Sequence, residues 1–260
     1  MSAKYTIFLP ISRPWVLDMW ETNLRQLKFP HAECEVIIAV DTNDQEFFKL
    51  VEQSAGRVEG TKPFYDLQVL MSGREALADD ALILARRQRV IDIWNFSKEY
   101  FRDTTILFSL EDDTLCPNTA FNKLIKMIKP GVGFASGVQA HRLMNNPLGA
   151  WLITKEEVKT IPYLESSIQE VDGSGIFCFA TPTKLIKKID FRQGDAPFGP
   201  DVCLVQDIKK KKLRALVDFD VKCPHILKDR TKIFPWESKG IIGYTLKEKE
   251  WTPYTLQNSL

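Results

Sequence analysis

The sequence predicts an α/β protein built on a mostly parallel central sheet flanked by helices, and three observations carry that expectation. Short apolar runs of buried-strand type alternate with helical patterns through the first half of the chain. Two of these runs end in acids, Asp41 after residues 36–40 and Glu111-Asp112-Asp113 after residues 104–110. The third observation is size, since 260 residues with 44% hydrophobic and 11% aromatic content can bury a substantial core.

In chain order, residues 5–10 read as a strand, 15–27 as an amphipathic helix, 36–40 as a second buried strand and 47–54 as a short helix. Residues 67–71 make a third strand, 76–101 a long helical pattern and 104–110 the strand that delivers the acidic triplet. Ligands of such sheets bind beyond the carboxyl ends of the strands, where Asp41 and the triplet stand. After Pro117 a helix runs to residue 128, then a Gly-rich stretch over 131–137 and a strand over 149–154. Val171-Asp172-Gly173-Ser174-Gly175 reads as a tight loop, its glycines allowing positive φ or close approach of a ligand, and it leads into a strand over 176–180. Gly199-Pro200-Asp201 opens a helix to residue 212, followed by a strand over 213–221 and Cys223-Pro224-His225. Residues 1–227 are expected to form one domain. Residues 228–260, with Trp236 and Trp251, show weak periodicity and read as an extension packing on or near the site.

Composition narrows the classes. Thirty-five basic against 34 acidic residues leave a net charge of +1, so no overall field selects nucleic acid or an anionic membrane. The short apolar run at residues 5–11 is broken by Pro10 and carries no signal-peptide pattern, which points to a cytoplasmic protein with no transmembrane segment. Five cysteines without CxxC spacing fit reduced thiols in the core better than a disulfide framework or zinc site.

The triplet carries the chemistry. Adjacent carboxylates at a strand end repel one another unless a cation neutralises them, and hard divalent cations held by one or two carboxylates are typical of sites that handle phosphates. A divalent cation at the triplet would act as a Lewis acid toward phosphate oxygens. Arg86, Arg87 and Arg89 offer guanidinium groups to phosphate oxygens, or form a solvated helix face. Asp201, at a helix start, has the position of a general base or of a helix cap. Lys209–Lys212 with Arg214 reads first as a solvated helix end.

The order of these features resembles the GT-A glycosyltransferases of the family 2 type, over residues 4–226. The segment Leu9-Pro10-Ile11-Ser12-Arg13 is similar to the opening segment that touches the nucleotide, and Asp41 followed by Asp44 to the strand-end acid that reads base or ribose. Ala85-Arg86-Arg87 resembles the family's Ala-Arg-Asn segment, and Glu111-Asp112-Asp113 its DXD segment. The resemblance implies donor contacts from Pro10, Ser12, Arg13, Asp41, Arg86, Arg87, Glu111 and Asp112, and Mn²⁺ or Mg²⁺ on Asp113 with His225 completing the shell. It implies Asp201 as base, with Asp195 the alternative, and acceptor contacts from Trp151, Asp172, Gly173 and Ser174. Glu111 stands where the strict motif has Asp, Arg87-Gln88-Arg89 where the family has Asn-x-Gly, and Pro200 where members often carry a second acid. The implied reaction is inverting transfer of a sugar from a nucleotide-diphosphate sugar to a hydroxyl, on acceptors that in the family include glycans, lipids, proteins, small molecules and modified DNA bases. Two other classes stay open: a sugar-phosphate nucleotidyltransferase, disfavoured because Pro10–Pro14 is not a Gly-rich loop, and a non-catalytic nucleotide-sugar-binding module.

Overall fold

The computed structural model of the chain describes residues 2–75, 77, 82–141, 146–195, 198–238, 240–247 and 250–257. Its first half is a chain of right-sized βα units. Strand β1 (Tyr5–Ile11) leads to helix α1 (Leu17–Gln26), strand β2 (Cys34–Val40) to α2 (Gln45–Glu59), and β3 (Asp66–Met71) to α3 (Ile83–Ser97) and then β4 (Ile106–Leu110). Then come α4 (Ala120–Met127), β5 (Val132–Val138), β6 (Ala150–Ile153), β7 (Glu157–Thr160), β8 (Ile168–Glu170), β9 (Gly173–Ser174), β10 (Cys178–Pro182) and α5 (Thr183–Ile186). The last elements are α6 (Pro200–Lys210), β11 (Arg214–Lys222), β12 (His225–Ile226), β13 (Lys232–Ile233), β14 (Gly240–Lys247) and β15 (Glu250–Gln257).

Among the described residues, eight strands form one sheet in the order β3-β2-β1-β4-β10-β5-β11-β8. Strands β3, β2, β1 and β4 are parallel neighbours, β10 runs antiparallel between β4 and β5, and β11 pairs parallel with β5. The strand alternation explains why both faces are covered. Ile7, Leu9 and Ile11 of β1 pack with Trp20 of α1, Val51 of α2 and Phe121 of α4, whereas Phe8 packs with Trp94 of α3 and belongs with Val205 of α6 to the opposite layer. A second, antiparallel sheet has the order β15-β14-β7-β6-β9. The outcome is a mostly parallel half joined to a mixed half.

Several boundaries move, each for a local reason. The helix expected at 47–54 spans Gln45–Glu59; it starts at Gln45 because Asp44 caps it, its Oδ1 accepting from the amides of Glu46 at 2.8 Å and Phe47 at 3.2 Å. Asp44 is therefore a structural acid. The pattern over 76–101 is helical only from Ile83, and Ala76 and 78–81 lie outside the described residues. The segment 171–175 is not a positive-φ loop: Gly173-Ser174 pair with β6 as β9, and positive φ among the described glycines falls at Gly73 and Gly131 instead. Close approach at Gly175 is by the chain itself, where a Cβ would stand 2.6 Å from the Phe177 ring. The strand expected at 176–180 spans Cys178–Pro182. The weakly periodic tail contains a hairpin, β14–β15, which docks on β7, with Thr160 Oγ1 accepting from the amide of Ile242 at 3.1 Å.

Candidate active site

The order β2-β1-β4 makes a topological switch point between β1 and β4, since the chain leaves β1 toward β2 on one side and returns to β4 on the other. Ser12 and Arg13 leave the end of β1 there, and Glu111-Asp112-Asp113 leave β4. The two segments are stitched together by hydrogen bonds. Asp112 is 2% exposed, and its Oδ2 accepts from the amides of Ser12 at 2.7 Å and Arg13 at 3.0 Å. The Arg13 guanidinium spans the acids, with Nη1 on Asp112 Oδ1 and Nη2 3.3 Å from Asp113 Oδ2. Burial alone would lower the basicity of Arg13, but Asp112, Asp113 and Glu111 outweigh it and hold the group above its ordinary value.

The remaining acids feel the opposite force. Burial, then Asp113, push the Glu111 carboxyl up to about 8, and burial also raises Asp112 although Arg13 opposes it. Residues 223–226 run back alongside the triplet: Thr114 and His225 form a β-bridge, and Ile226 N donates to Asp113 O at 2.8 Å. This places His225 Nε2 3.2 Å from Asp113 Oδ2. The other ring nitrogen, Nδ1, faces Ala140 O at 3.1 Å, and a carbonyl can only accept, so Nδ1 carries a proton.

A divalent cation is tested by that pair. Two cis ligands of an octahedral ion with bonds of about 2.1–2.3 Å stand about 3.0–3.3 Å apart, which the His225–Asp113 separation satisfies. Anchoring Nδ1 on a backbone carbonyl is the usual second support of a ligating imidazole. Among the described residues no group of three or more His, Cys, Asp or Glu side chains gathers around one point, and a hard divalent ion held by few protein ligands keeps substrate oxygens and water in its shell.

A cavity of about 690 Å³ opens above these acids, lined by Pro10, Ser12, Arg13, Trp15, Asp41, Arg86, Arg89, Glu111, Asp112 and Lys228 among others. Four cations, Arg13, Arg86, Arg89 and Lys228, thus face one cleft. Asp41 lines it too, but its carboxylate is engaged: Arg89 Nε at 2.6 Å, Arg74 Nε at 3.2 Å and Ser72 Oγ at 2.7 Å. Arg87 lies instead beside Gly199 at the start of α6. A Cβ on Gly199 would stand 2.6 Å from Asp201 Oδ1 and 3.4 Å from Arg87 Nε, so glycine leaves the room in which that acid and that guanidinium sit. Asp201 is near enough to the triplet that its charge helps raise Glu111. Asp195 is exposed in the turn before α6.

The acceptor-side residues are not gathered around this cleft. Gly173 packs against Val202, and Ser174 is fully buried with its Oγ 2.8 Å from Ser136 Oγ. Asp172 pairs with Lys209, accepts from the amide of Ile153 at 2.9 Å, and lines a separate cavity of about 320 Å³ with Ile153, Gln206, Lys209 and Lys210. Trp151 is half-buried on β6, 6.3 Å from the His141 ring. Sequence reasoning missed Trp15, Arg74, Ser72 and the cleft position of Lys228. Trp15 lies just beyond the strand-end segment, and that adjacency was the available signal.

Comparison with solved structures agrees with this topology. The fold is that of the GT-A glycosyltransferases. A mannosyltransferase from Pyrobaculum calidifontis, PcManGT, solved with GDP-Man and Mn²⁺, superposes with a TM-score of 0.55 at 14% identity over 85% of this chain and 56% of its own. TarS of S. aureus, residues 1–349, gives 0.51 at 13% identity over 88% of this chain and 59% of its own. The chain therefore spans little more than half the length of these GT-A proteins. No protein-family model and no curated protein matches the sequence. Among the described residues no helix is long and apolar enough to cross a membrane.

Proposed function

We propose that the chain is a glycosyltransferase moving a sugar from a nucleotide-diphosphate sugar to an acceptor hydroxyl, with inversion at the anomeric carbon. One observation carries the reading: acids and four cations meet in a large cleft at the β1/β4 switch point of a GT-A sheet. Arg86, Arg13 and Lys228 bind the diphosphate oxygens and orient the donor, and Trp15 with Pro10 and Ser12 borders the nucleoside end. Asp113 and His225 would hold Mn²⁺ or Mg²⁺, which supplies charge neutralisation for the departing diphosphate. PcManGT, bound to GDP-Man and Mn²⁺, supports both a nucleotide-sugar donor and a divalent ion.

Asp201 takes the acceptor proton as the acceptor oxygen bonds to the anomeric carbon and the bond from that carbon to the diphosphate oxygen breaks. The electron pair leaves with the diphosphate. The Asp201 carboxylate stands in the first turn of α6 and is held by a rigid element. Lys228, the first residue after the 1–227 domain, forms part of the cleft wall in this reading, supported by its place in the cavity lining. The five free thiols fit a reducing, cytoplasmic setting.

The test is a transfer screen of purified chain against nucleotide sugars with Mn²⁺, reading the product anomer by NMR. The reading expects one donor to be turned over by the wild type. Asp113→Asn should then bind nucleoside diphosphate without the Mn²⁺-dependent gain. Turnover of no donor, with no thermal stabilisation by any nucleotide sugar, refutes it.

A further inference from the structure

We propose that Arg13 is a built-in counter-cation of Asp112 and Asp113, which competes with a divalent metal ion for Asp113 and is drawn off by an incoming diphosphate. The idea concerns the same site as the proposed glycosyl transfer and rests on that reading only for the identity of the anion. Its physical basis is the sharing of carboxylate oxygens. Asp112 has both oxygens occupied, Oδ2 by the amides of Ser12 and Arg13 and Oδ1 by the Arg13 guanidinium. Asp113 Oδ2 meets Arg13 Nη2 at 3.3 Å and His225 Nε2 at 3.2 Å, so the oxygen that fits a cation beside His225 is the one the guanidinium already neutralises. A second cation on that oxygen is repelled by the first at short range, in a setting where Asp113 is almost wholly buried and water screens little.

Arg13 is also the group placed to move. Its side chain is 33% exposed and lines the large cleft, alongside Arg86, Arg89 and Lys228. Phosphate oxygens entering the cleft offer the fork a bidentate partner as good as the carboxylates it leaves. The loop does not depend on the guanidinium, because the main-chain amides of Ser12 and Arg13 hold Asp112 whatever side chain residue 13 carries. Diphosphate and metal are thereby coupled through one residue: each favours the arrangement in which Arg13 has left the acids, and each tightens the other by the same factor.

Calorimetric titration of Mn²⁺ into the full chain, without any sugar donor, tests this directly. Arg13→Gln should bind Mn²⁺ at least about tenfold more tightly than wild type. Arg13→Lys should fall between them, since one ammonium cannot span two carboxylates as the planar fork does. Adding GDP, then UDP in a parallel series, should tighten Mn²⁺ on the wild type and change it far less on Arg13→Gln. Thermal melts establish that each variant is folded. A folded Arg13→Gln that binds Mn²⁺ no better than wild type overturns the proposal, as does absence of Mn²⁺ binding by all three proteins. A residue that only supported the loop would weaken the metal on replacement, the opposite sign. Because no sugar donor enters these titrations, their failure is distinct from failure of the transfer screen.

Discussion

Replacing Asp41 by alanine takes the acceptor away from three donors at once. The carboxylate is 7% exposed and receives Arg89 Nε at 2.6 Å, Arg74 Nε at 3.2 Å and Ser72 Oγ at 2.7 Å. Removing one partner of a buried ion pair costs about 3–5 kcal/mol. Here the remaining groups keep some compensation: Arg74 holds Asp92 at 2.7 Å, and Arg89 still reaches the carbonyls of Glu75 and residue 41. Both arginines also border solvent, with 26% and 17% side-chain exposure. The expected loss is therefore about 2–3 kcal/mol. With an unfolding entropy of about 2.1 cal/mol/K per residue, that lowers Tm by about 4–5 °C for a chain of this length. Urea denaturation followed by circular dichroism measures it, and a double-mutant cycle with Arg89→Ala should return a coupling of about 1 kcal/mol or more. In transfer assays the same variant should raise KM for the donor while kcat is largely kept. A stability loss below about 0.5 kcal/mol, with no coupling to Arg89, refutes the view that this network braces the end of β2.

Asp201→Asn should keep nucleotide and Mn²⁺ affinity but lower transfer by about 10²–10⁴, the usual share of general-base catalysis, and near wild-type turnover would assign the base elsewhere. Gly137→Ala should destabilise by about 1–3 kcal/mol, because its Cβ would meet Val221 O at 2.5 Å and Cys223 Sγ at 2.9 Å and the backbone oxygen cannot rotate away; an unchanged urea midpoint would contradict this. Glu21 is held down to about 2, chiefly by Arg57 and further by Arg25. Its folded pKa lies below its unfolded one, so its contribution is present above about 4.5 and is lost as pH falls toward 2. Both arginines are more than a third exposed, which limits the gain to about 1 kcal/mol. Glu21→Gln should therefore be less stable than wild type at pH 6, with the gap closing toward pH 3, and a gap independent of pH would count against it.

The parallel half of the sheet, and the strand ends that carry its acids, were readable from local pattern alone. Buried strands announce themselves by short continuous apolar runs, and the residues next in sequence after a strand must also stand at its end in space. Asp41, Glu111, Asp112 and Asp113 were therefore legible as strand-end acids. The Gly-Pro start of α6 was legible for the same local reason. Which of these groups meet depends on how the strands pair. Arg13 and Asp112 are 99 residues apart in the chain, and Arg89 and Asp41 are 48 apart. Their contacts exist because β4 pairs beside β1, and α3 returns across the sheet, which no local pattern encodes. The same is true of Ser174, whose sequence neighbours suggested a tight loop but whose strand pairing with β6 carries its hydroxyl to Ser136 in the core. Periodicity reports which face of an element is buried, whereas partners across about a hundred residues are set by the packing of the whole sheet, and the chemistry of the cleft depends on those partners.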